Sequence, residues 1–359
     1  MDIRTKLAIL LISVSLGSMW LLGFFAYQTS ASMLQEISER QLNALAESKA
    51  QDLQKVIESW SDRTRLVSSR TQLRLSLSQY NQGNTNTLPQ MTRILSDAQS
   101  ATPSVVAITL YDAAGNRISS AGNTERIIDS SEGIVTDVAY VGVLSEGGAN
   151  WVTFESPLQL EQEVIGKLRV AFTADDLLSV SEDYTGLGDY GETIIAHENS
   201  DGDIEVLHDL RHATVDQIDP DSLAGFISAS VDGEQEIYTE GQTSYRNMPA
   251  WAATRFLEEV EWGLTVQLDE AEERIPLLEL RDSMIDLGLS LSAFAIFGGT
   301  LLGIYLARPL QGLAEVVDRI REGETELRAE VVSEDEVGHL ASAINELLDD
   351  RESDKSDST

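Results

Sequence analysis

The stretch LGLSLSAFAIFGGTLLGIYLA, Leu287–Ala307, carries no charged residue. Wound as a helix rising ~1.5 Å per residue, it is long enough to cross a ~30 Å hydrocarbon layer. Arg308, Pro309 and Leu310 follow at once, and then come two short amphipathic segments, Leu310–Gly323 and Val337–Leu348. A linker ending Ser333-Glu334-Asp335-Glu336-Val337-Gly338 joins them. Leu313, Val316, Val317 and Ile320 recur at three- and four-residue steps in the first segment, as Leu340, Ile344 and Leu347 do in the second. That is the a/d seam of a short coiled coil. One chain cannot bury so narrow a seam alone, so the spacing predicts a four-helix bundle built from two copies.

The order of these features (apolar span, Pro309, a seam of Leu310, Leu313 and Ile320, Gly323, an Asp-Glu-x-Gly turn at Asp335–Gly338, a second seam) resembles a HAMP signal-relay domain over about 308–350. The resemblance implies relay roles for Pro309, Leu313, Ile320, Glu336, Gly338, Leu340 and Ile344, and a homodimer. A juxtamembrane hairpin without a relay role is the plainer alternative.

Sixty acidic residues against 25 basic ones give a formal charge of −35, and only Lys6, Lys49, Lys55, Lys167 and Lys355 are lysine. Such a surface repels phosphate backbones, which argues against nucleic acid as a partner. It stays hydrated at high salt, where like-charge repulsion is screened. A salt-loving prokaryote and an ordinary acidic extracytoplasmic domain both fit. With no cysteine in the chain, disulfides and thiolate chemistry are excluded.

Residues 1–6 carry Arg4 and Lys6, and Leu7–Tyr27 is a second uncharged run of spanning length. A signal peptide cleaved near Thr29-Ser30-Ala31 is the competing reading, but the run is long for a signal core. Positive charge before the first span and after the second places both termini in the cytoplasm. Residues 28–283 then lie outside a plasma membrane crossed twice, at 7–27 and 287–307.

From Ser30 to about Tyr80 the period is helical, with Leu53, Val56, Ile57, Trp60 and Val67 on one face. Neither proline nor glycine interrupts it, so one stalk helix over 30–80 is expected, then a polar loop at Asn81–Thr87 and a shorter helix at Pro89–Gln99. The period next changes to strand. Ser104–Tyr111, Arg117–Ser120, Trp151–Ser156 and Val164–Thr173 read as one set, closed by a short helix at Asp175–Ser181. A second set follows at Glu192–His197, Ile204–Leu210, Glu236–Thr239, Trp251–Arg255 and Gly263–Leu268. The fold class is therefore α+β: a stalk helix carrying two antiparallel-sheet modules, with two membrane helices and a helical bundle.

This outline resembles a double Cache sensor, two PAS-like modules on a long helix. The likeness rests on ITLYDAAGNRISSAG at 108–122, VIGKLRVAFTADDL at 164–177, GDYGETIIA at 188–196 and VEWGLTVQLDEAEERIPLLELR at 260–281. In the last, Pro276 stands in the first helical turn, where no N–H partner is lost. The modules fall at about 100–180 (distal) and 184–270 (proximal); one enlarged Cache module is the rival reading.

Gly186-Leu187-Gly188-Asp189-Tyr190-Gly191 spells the dinucleotide fingerprint, but that motif needs a strand before it and a helix after it. Here the order is reversed, with Asp189 and Glu192 alongside, so a loop between modules is expected. His208 and His212 lack further His or Cys support for a metal site and read as solvent-exposed. His339 lacks the surroundings of a kinase phospho-acceptor and reads as a surface position. The Asp-rich turn Asn199–Asp203 lacks the ligand spacing of a calcium loop. No nucleophile signature is present, so neither catalysis nor a cofactor is expected.

The double Cache resemblance implies a small-molecule ligand in the distal module. The Arg-x-Trp-Tyr and later Asp of the amino-acid-binding subset are missing, since Trp151 follows Gly-Ala-Asn and the later strand ends Ala171-Phe172-Thr173. That argues against a standard amino-acid site. Candidate ligand residues are Tyr111, Trp151, Phe154 and Arg169; Arg169 alternates away from Leu168, Val170 and Phe172, an orientation suited to an anion. A set of core aromatics with a surface arginine is the alternative. The expectation is a receptor relaying an outside stimulus through HAMP. The tail RESDKSDST leaves open a fragment of a larger kinase, cyclase or methyl-accepting receptor, or a partner transducer. A membrane-anchored binding protein or enzyme is the reading from another class.

Overall fold

A computed structural model describes residues 3–129, 135–223, 225–322, 324, 327–331 and 336–356. The chain divides into two compact units, Gln35–Ile275 and Met1–Leu34 with Pro276–Thr359.

The first unit is built on the later part of α1 (Ile3–Ser68). Its Leu42, Ala46, Leu53, Ile57 and Trp60 are fully buried and lie along one helical stripe. The helix does not run on to residue 80 as its composition predicts. It stops at Ser68, and α2 (Thr71–Asn81) restarts after Arg70, which is extended at φ −61°, ψ 114°. Ser68 Oγ and Ser69 Oγ donate to the carbonyls of Arg65 and Leu66, the local side-chain competition that lets serines end a helix. The turn brings Leu73 and Leu77 into the same core as Trp60. After it come α3 (Leu88–Ser100) and, among the described residues, ten strands: β1 (Val105–Asp112), β2 (Arg117–Gly122), β3 (Ala139–Glu146), β4 (Ala149–Leu160), β5 (Glu163–Thr173), β6 (Glu192–Glu198), β7 (Ile204–Val206), β8 (Ile237–Tyr238), β9 (Ala250–Leu257) and β10 (Trp262–Asp269).

The strands form two antiparallel sheets, β2-β1-β5-β4-β3 and β7-β6-β10-β9-β8. Numbered within its own set, each reads 2-1-5-4-3. β3 was not legible as a strand: it contains Gly142 at φ +150° and is only half-buried along its middle. The strand expected over Ile204–Leu210 ends at Val206. Between the sheets in sequence lies α4 (Leu178–Ser181), and α5 (Phe226–Val231) covers the second sheet. Gly263 is what lets α5 come close, since a Cβ there would stand 2.3 Å from Ser230 Oγ and 2.6 Å from the Val231 nitrogen.

Each sheet lays one face on α1. Leu42 and Ala46 pack with Trp251, Ala253, Val266 and Leu268 of the second sheet. Leu53, Ile57 and Trp60 pack with Ile108, Val152, Phe154, Val170 and Phe172 of the first. Trp60 is the hub of this packing: its ring centroid lies 5.9 Å from Phe172, 6.2 Å from Phe154 and 6.3 Å from Trp262. Trp262 on β10 in turn donates its Nε1–H to the Tyr140 hydroxyl on β3 at 3.0 Å. The two sheets thus share one aromatic cluster with the helix.

β10 leads into α6 (Glu270–Glu273), whose first N–H groups Asp269 caps at 2.8 Å to Ala271. In the second unit, α7 (Ile275–Arg321) is continuous through Pro309, and α8 (Glu336–Ser356) follows. Both α1 and α7 contain a window long and apolar enough to cross a membrane. They meet through small residues: a Cβ on Gly303 would lie 2.8 Å from that of Ala8, and one on Gly299 2.7 Å from Ile12 Cγ1.

Candidate functional site

Pleating assigns the outer face of the first sheet. With Ile108, Leu110, Phe154, Leu168, Val170 and Phe172 turned toward α1, the residues between them (Thr109, Tyr111, Glu155, Lys167, Arg169) share the opposite face. Trp151 and Thr153 belong to it by register. Of the four expected ligand residues, the fold brings Tyr111, Trp151 and Arg169 together. Phe154 is placed on the other face, in contact with Trp60, because it pairs with Val170 across β4 and β5.

Arg169 is 2% exposed. Its Nε donates to Glu155 Oε2 at 2.6 Å and its Nη1 to the Ile128 carbonyl at 2.8 Å. Lys167 Nζ reaches the same Glu155 oxygen at 3.1 Å. The Arg169 guanidinium stands 5.5 Å from the Tyr111 ring centre, within cation–π range. Tyr111 donates its hydroxyl to Asp129 Oδ1 at 2.6 Å, and Arg117 holds the other oxygen of Asp129 at 2.6 Å. Burial, then the Asp129 bond, push the Tyr111 phenol up to about 12. The same bond and the adjacent arginines hold Asp129 below the usual carboxylate range. Arg126 lies over Trp151 at 4.6 Å. Residues Ile127–Asp129 cover this face, Ile127 packing on Ala107 and Ala171. Among the described residues the face therefore gathers four cations (Arg117, Arg126, Lys167, Arg169) around two carboxylates (Glu155, Asp129).

The glycine fingerprint at 186–191 holds a carboxylate of the chain itself. The N–H groups of Asp189 and Tyr190 donate to Glu272 Oε1 and Oε2 at 3.0 and 3.2 Å. Gly188 sits at φ +66°, and a Cβ there would be 2.7 Å from Glu272 Oε2. Successive N–H groups in such a turn form an anion-binding nest. His208, expected in solvent, is buried: its Nε2 accepts the Ile195 N–H at 3.2 Å, and burial pulls its pKa down to about 4. His212 and His339 are exposed.

Among the relay residues, Leu313 is buried with Ala329 and Ala341, and Val316, Val337 and Ile344 pack around them. Asn345 clasps the linker in both directions, accepting the Ala329 N–H at 2.7 Å and donating to the Ala329 carbonyl at 2.9 Å. Leu340 and Leu347 do not join this packing; they are 49% and 69% exposed, as Leu310 and Val317 are 41% and 39%. Ile320 is half-buried. Glu336 and Gly338, expected in a turn, are the opening of α8, Gly338 being buried; Asp335 and Gly323 lie outside the described residues. A groove of about 920 Å³ runs beside Pro309, Leu313, Val316, Ala329, Val337 and Ala341.

Residues 301–350 match the HAMP domain model. The resemblance read over 308–350 thus holds, and the match begins inside the apolar run. No curated protein matches the chain. Among solved structures the chain is similar to the ligand-binding domain of the Campylobacter jejuni chemoreceptor Tlp3 in complex with L-valine, at 10% identity and TM-score 0.48 over 68% of this chain and 97% of that one. It is similar to the periplasmic sensory domain of the Campylobacter jejuni chemoreceptor Tlp1, at 11% identity and TM-score 0.47 over 68% and 99%. A third is the sensor domain of the V. cholerae histidine kinase DctB, at 13% identity and TM-score 0.41 over 67% and 98%.

Proposed function

We propose that the chain is a homodimeric, two-span membrane receptor whose residues 28–283 sense a small solute outside the plasma membrane and whose HAMP segment carries the result inward. The observation that supports this most is α7. One helix leads from the end of β10 and α6 through an apolar span into the segment that matches HAMP.

The ligand in this reading is a small anion at Tyr111, Trp151 and Arg169, where cations outnumber carboxylates on a chain of formal charge −35. It competes with Glu155 for Arg169 and displaces the Ile127–Asp129 cover. The shift passes through Tyr140, Trp262 and Trp60 to β10, and from there along the chain to α7. The exposed Leu310, Val317, Leu340 and Leu347 are the seam taken by a second copy, and its two packings are the output states. Packed interfaces switch discretely, and coupling of roughly 1–3 kcal/mol suffices.

The absence of cysteine makes the test direct. Single cysteines replacing Ser100 and Leu340 are placed in the full chain in cells and labelled with an impermeant thiol reagent. Labelling from opposite sides, with Leu340→Cys cross-linking between copies, is the expected result. Labelling of both from one side rejects the topology and the receptor with it.

A further inference from the structure

The outer face of the second sheet carries a different set of polar groups. Gln267 on β10 pairs in register with Glu192 on β6, and both are almost completely buried, at 2% and 1% exposure. Glu192 is satisfied: Oε1 accepts Gln267 Nε2 at 2.7 Å and Oε2 accepts the Arg211 N–H at 3.0 Å. Asp269, two residues on, lies on the same face with one oxygen capping α6 and the other 3.9 Å from Arg246. Opposite Gln267 and Asp269, β9 presents only the methyl groups of Ala252 and Ala250.

Around this floor the hydrogen-bonding capacity is not used up. Among the described residues Gln267 Oε1, Arg246 Nε and Ser244 Oγ are buried with no hydrogen-bond partner, and the Tyr245 hydroxyl stands by Glu192 and the His212 backbone without a well-formed hydrogen bond to either. Ser244 is itself 5% exposed. Unpaired polar atoms in the interior are costly, so a concentration of them at one place marks a missing partner. The rim is aromatic and open to solvent: Arg246 lies 5.7 Å over the Tyr190 ring, which tilts against His212 at 5.9 Å.

The charges here offset one another, Glu192 and Asp269 against Arg211 and Arg246. A charged guest would leave one charge uncompensated in a desolvated place. What is unmet carries no net charge once Arg246 is set against Asp269: an acceptor at Gln267 Oε1, the remaining Nε–H donor of the Arg246 guanidinium, and two hydroxyls able to do either. Adjacent hydroxyls on a guest complement that set, and its C–H face suits the Tyr190 ring. We propose that this face is a second binding site, in the proximal module, for a small uncharged polyol held by Gln267, Ser244, Tyr245 and Arg246.

The site is independent of the anion at Arg169. The test is titration calorimetry on the full chain in nanodiscs with glycerol, D-ribose and D-glucose as probes at millimolar concentration, and acetate as the charged control. Saturable binding of at least one polyol is expected, weakened about tenfold or more in both Tyr245→Phe and Gln267→Met while each variant still melts cooperatively. No saturable polyol binding overturns the proposal, which is also what occupancy by water alone would give. So does polyol binding that neither variant weakens, or acetate binding that Gln267→Met removes. Failure of acetate to bind at all counts against the distal anion reading and leaves this one standing.

Discussion

The two sheets repeat one strand order, 2-1-5-4-3, and lay the same kind of inner face on the same helix. Their outer faces have diverged. In the first, buried charge meets buried charge: Arg169 and Lys167 share Glu155, and Asp129 takes Tyr111 and Arg117. In the second, charges are offset, but among the described residues hydrogen-bonding atoms stay open at Gln267, Ser244 and Arg246. The lesson is that the scaffold decides where polar side chains collect, under the segment covering the outer face. The residues chosen then decide whether a guest there must displace the chain's own partners, as at Arg169 and Glu155, or meets atoms left open, as at Gln267.

The largest effect is expected from removing what the two sheets share. Trp60→Ala empties the centre of the aromatic cluster and is expected to cost about 3–5 kcal/mol, read by urea unfolding. If the modules are one cooperative body, a single transition moves; two transitions of which only one moves would separate them. Next is the distal charge set. Arg169→Met leaves Glu155 buried with Lys167 alone and is expected to destabilise by about 3 kcal/mol, the low end for a broken buried pair. Pairing it with Glu155→Leu is expected to recover most of that loss, and a double cycle measures the difference.

The proximal module carries its own signature in pH. The folded value of His208, about 4, lies below its unfolded value. The group is neutral in both states above pH ~6.5, and as pH falls toward 4 only the unfolded chain takes up the proton. At pH 5 this removes about 2 kcal/mol of stability relative to pH 7. Melting His208→Gln at both values is expected to show that much less acid sensitivity than the parent chain. The smallest effect sharpens the contrast most. Tyr245→Phe deletes an oxygen without a settled partner, so thermal stability is expected to change by no more than about 0.5 kcal/mol. A loss near that of Arg169→Met would mean the two faces are built alike after all.

The strands at 105–112, 163–173 and 262–269 were readable from sequence because β-branched and aromatic residues are dense in the first and apolar residues alternate with polar ones in the other two. β3 was not, since Gly142 and its half-exposed neighbours look like loop. Nor was the break at Ser69-Arg70, where serine hydroxyls do what proline or glycine would otherwise signal. Alternation alone set Arg169 apart from Leu168, Val170 and Phe172, but that Tyr111 shares its face came from the register of β1 against β5. Phe154 could not, because its face depends on the register of β4 against β5. The proximal polar set was invisible for a different reason: Glu192, Ser244, Tyr245, Arg246 and Gln267 are scattered along the chain. In so acidic a sequence, Glu and Gln read as solvated surface.

Glu272, on the small helix after β10, has both oxygens held by the consecutive N–H groups of Asp189 and Tyr190. The start of the path from the second sheet to α7 is thereby tied back to the loop between the two sheets, at two points rather than one. The segment that in a nucleotide enzyme would grip a visitor serves here as a catch that the chain closes on itself.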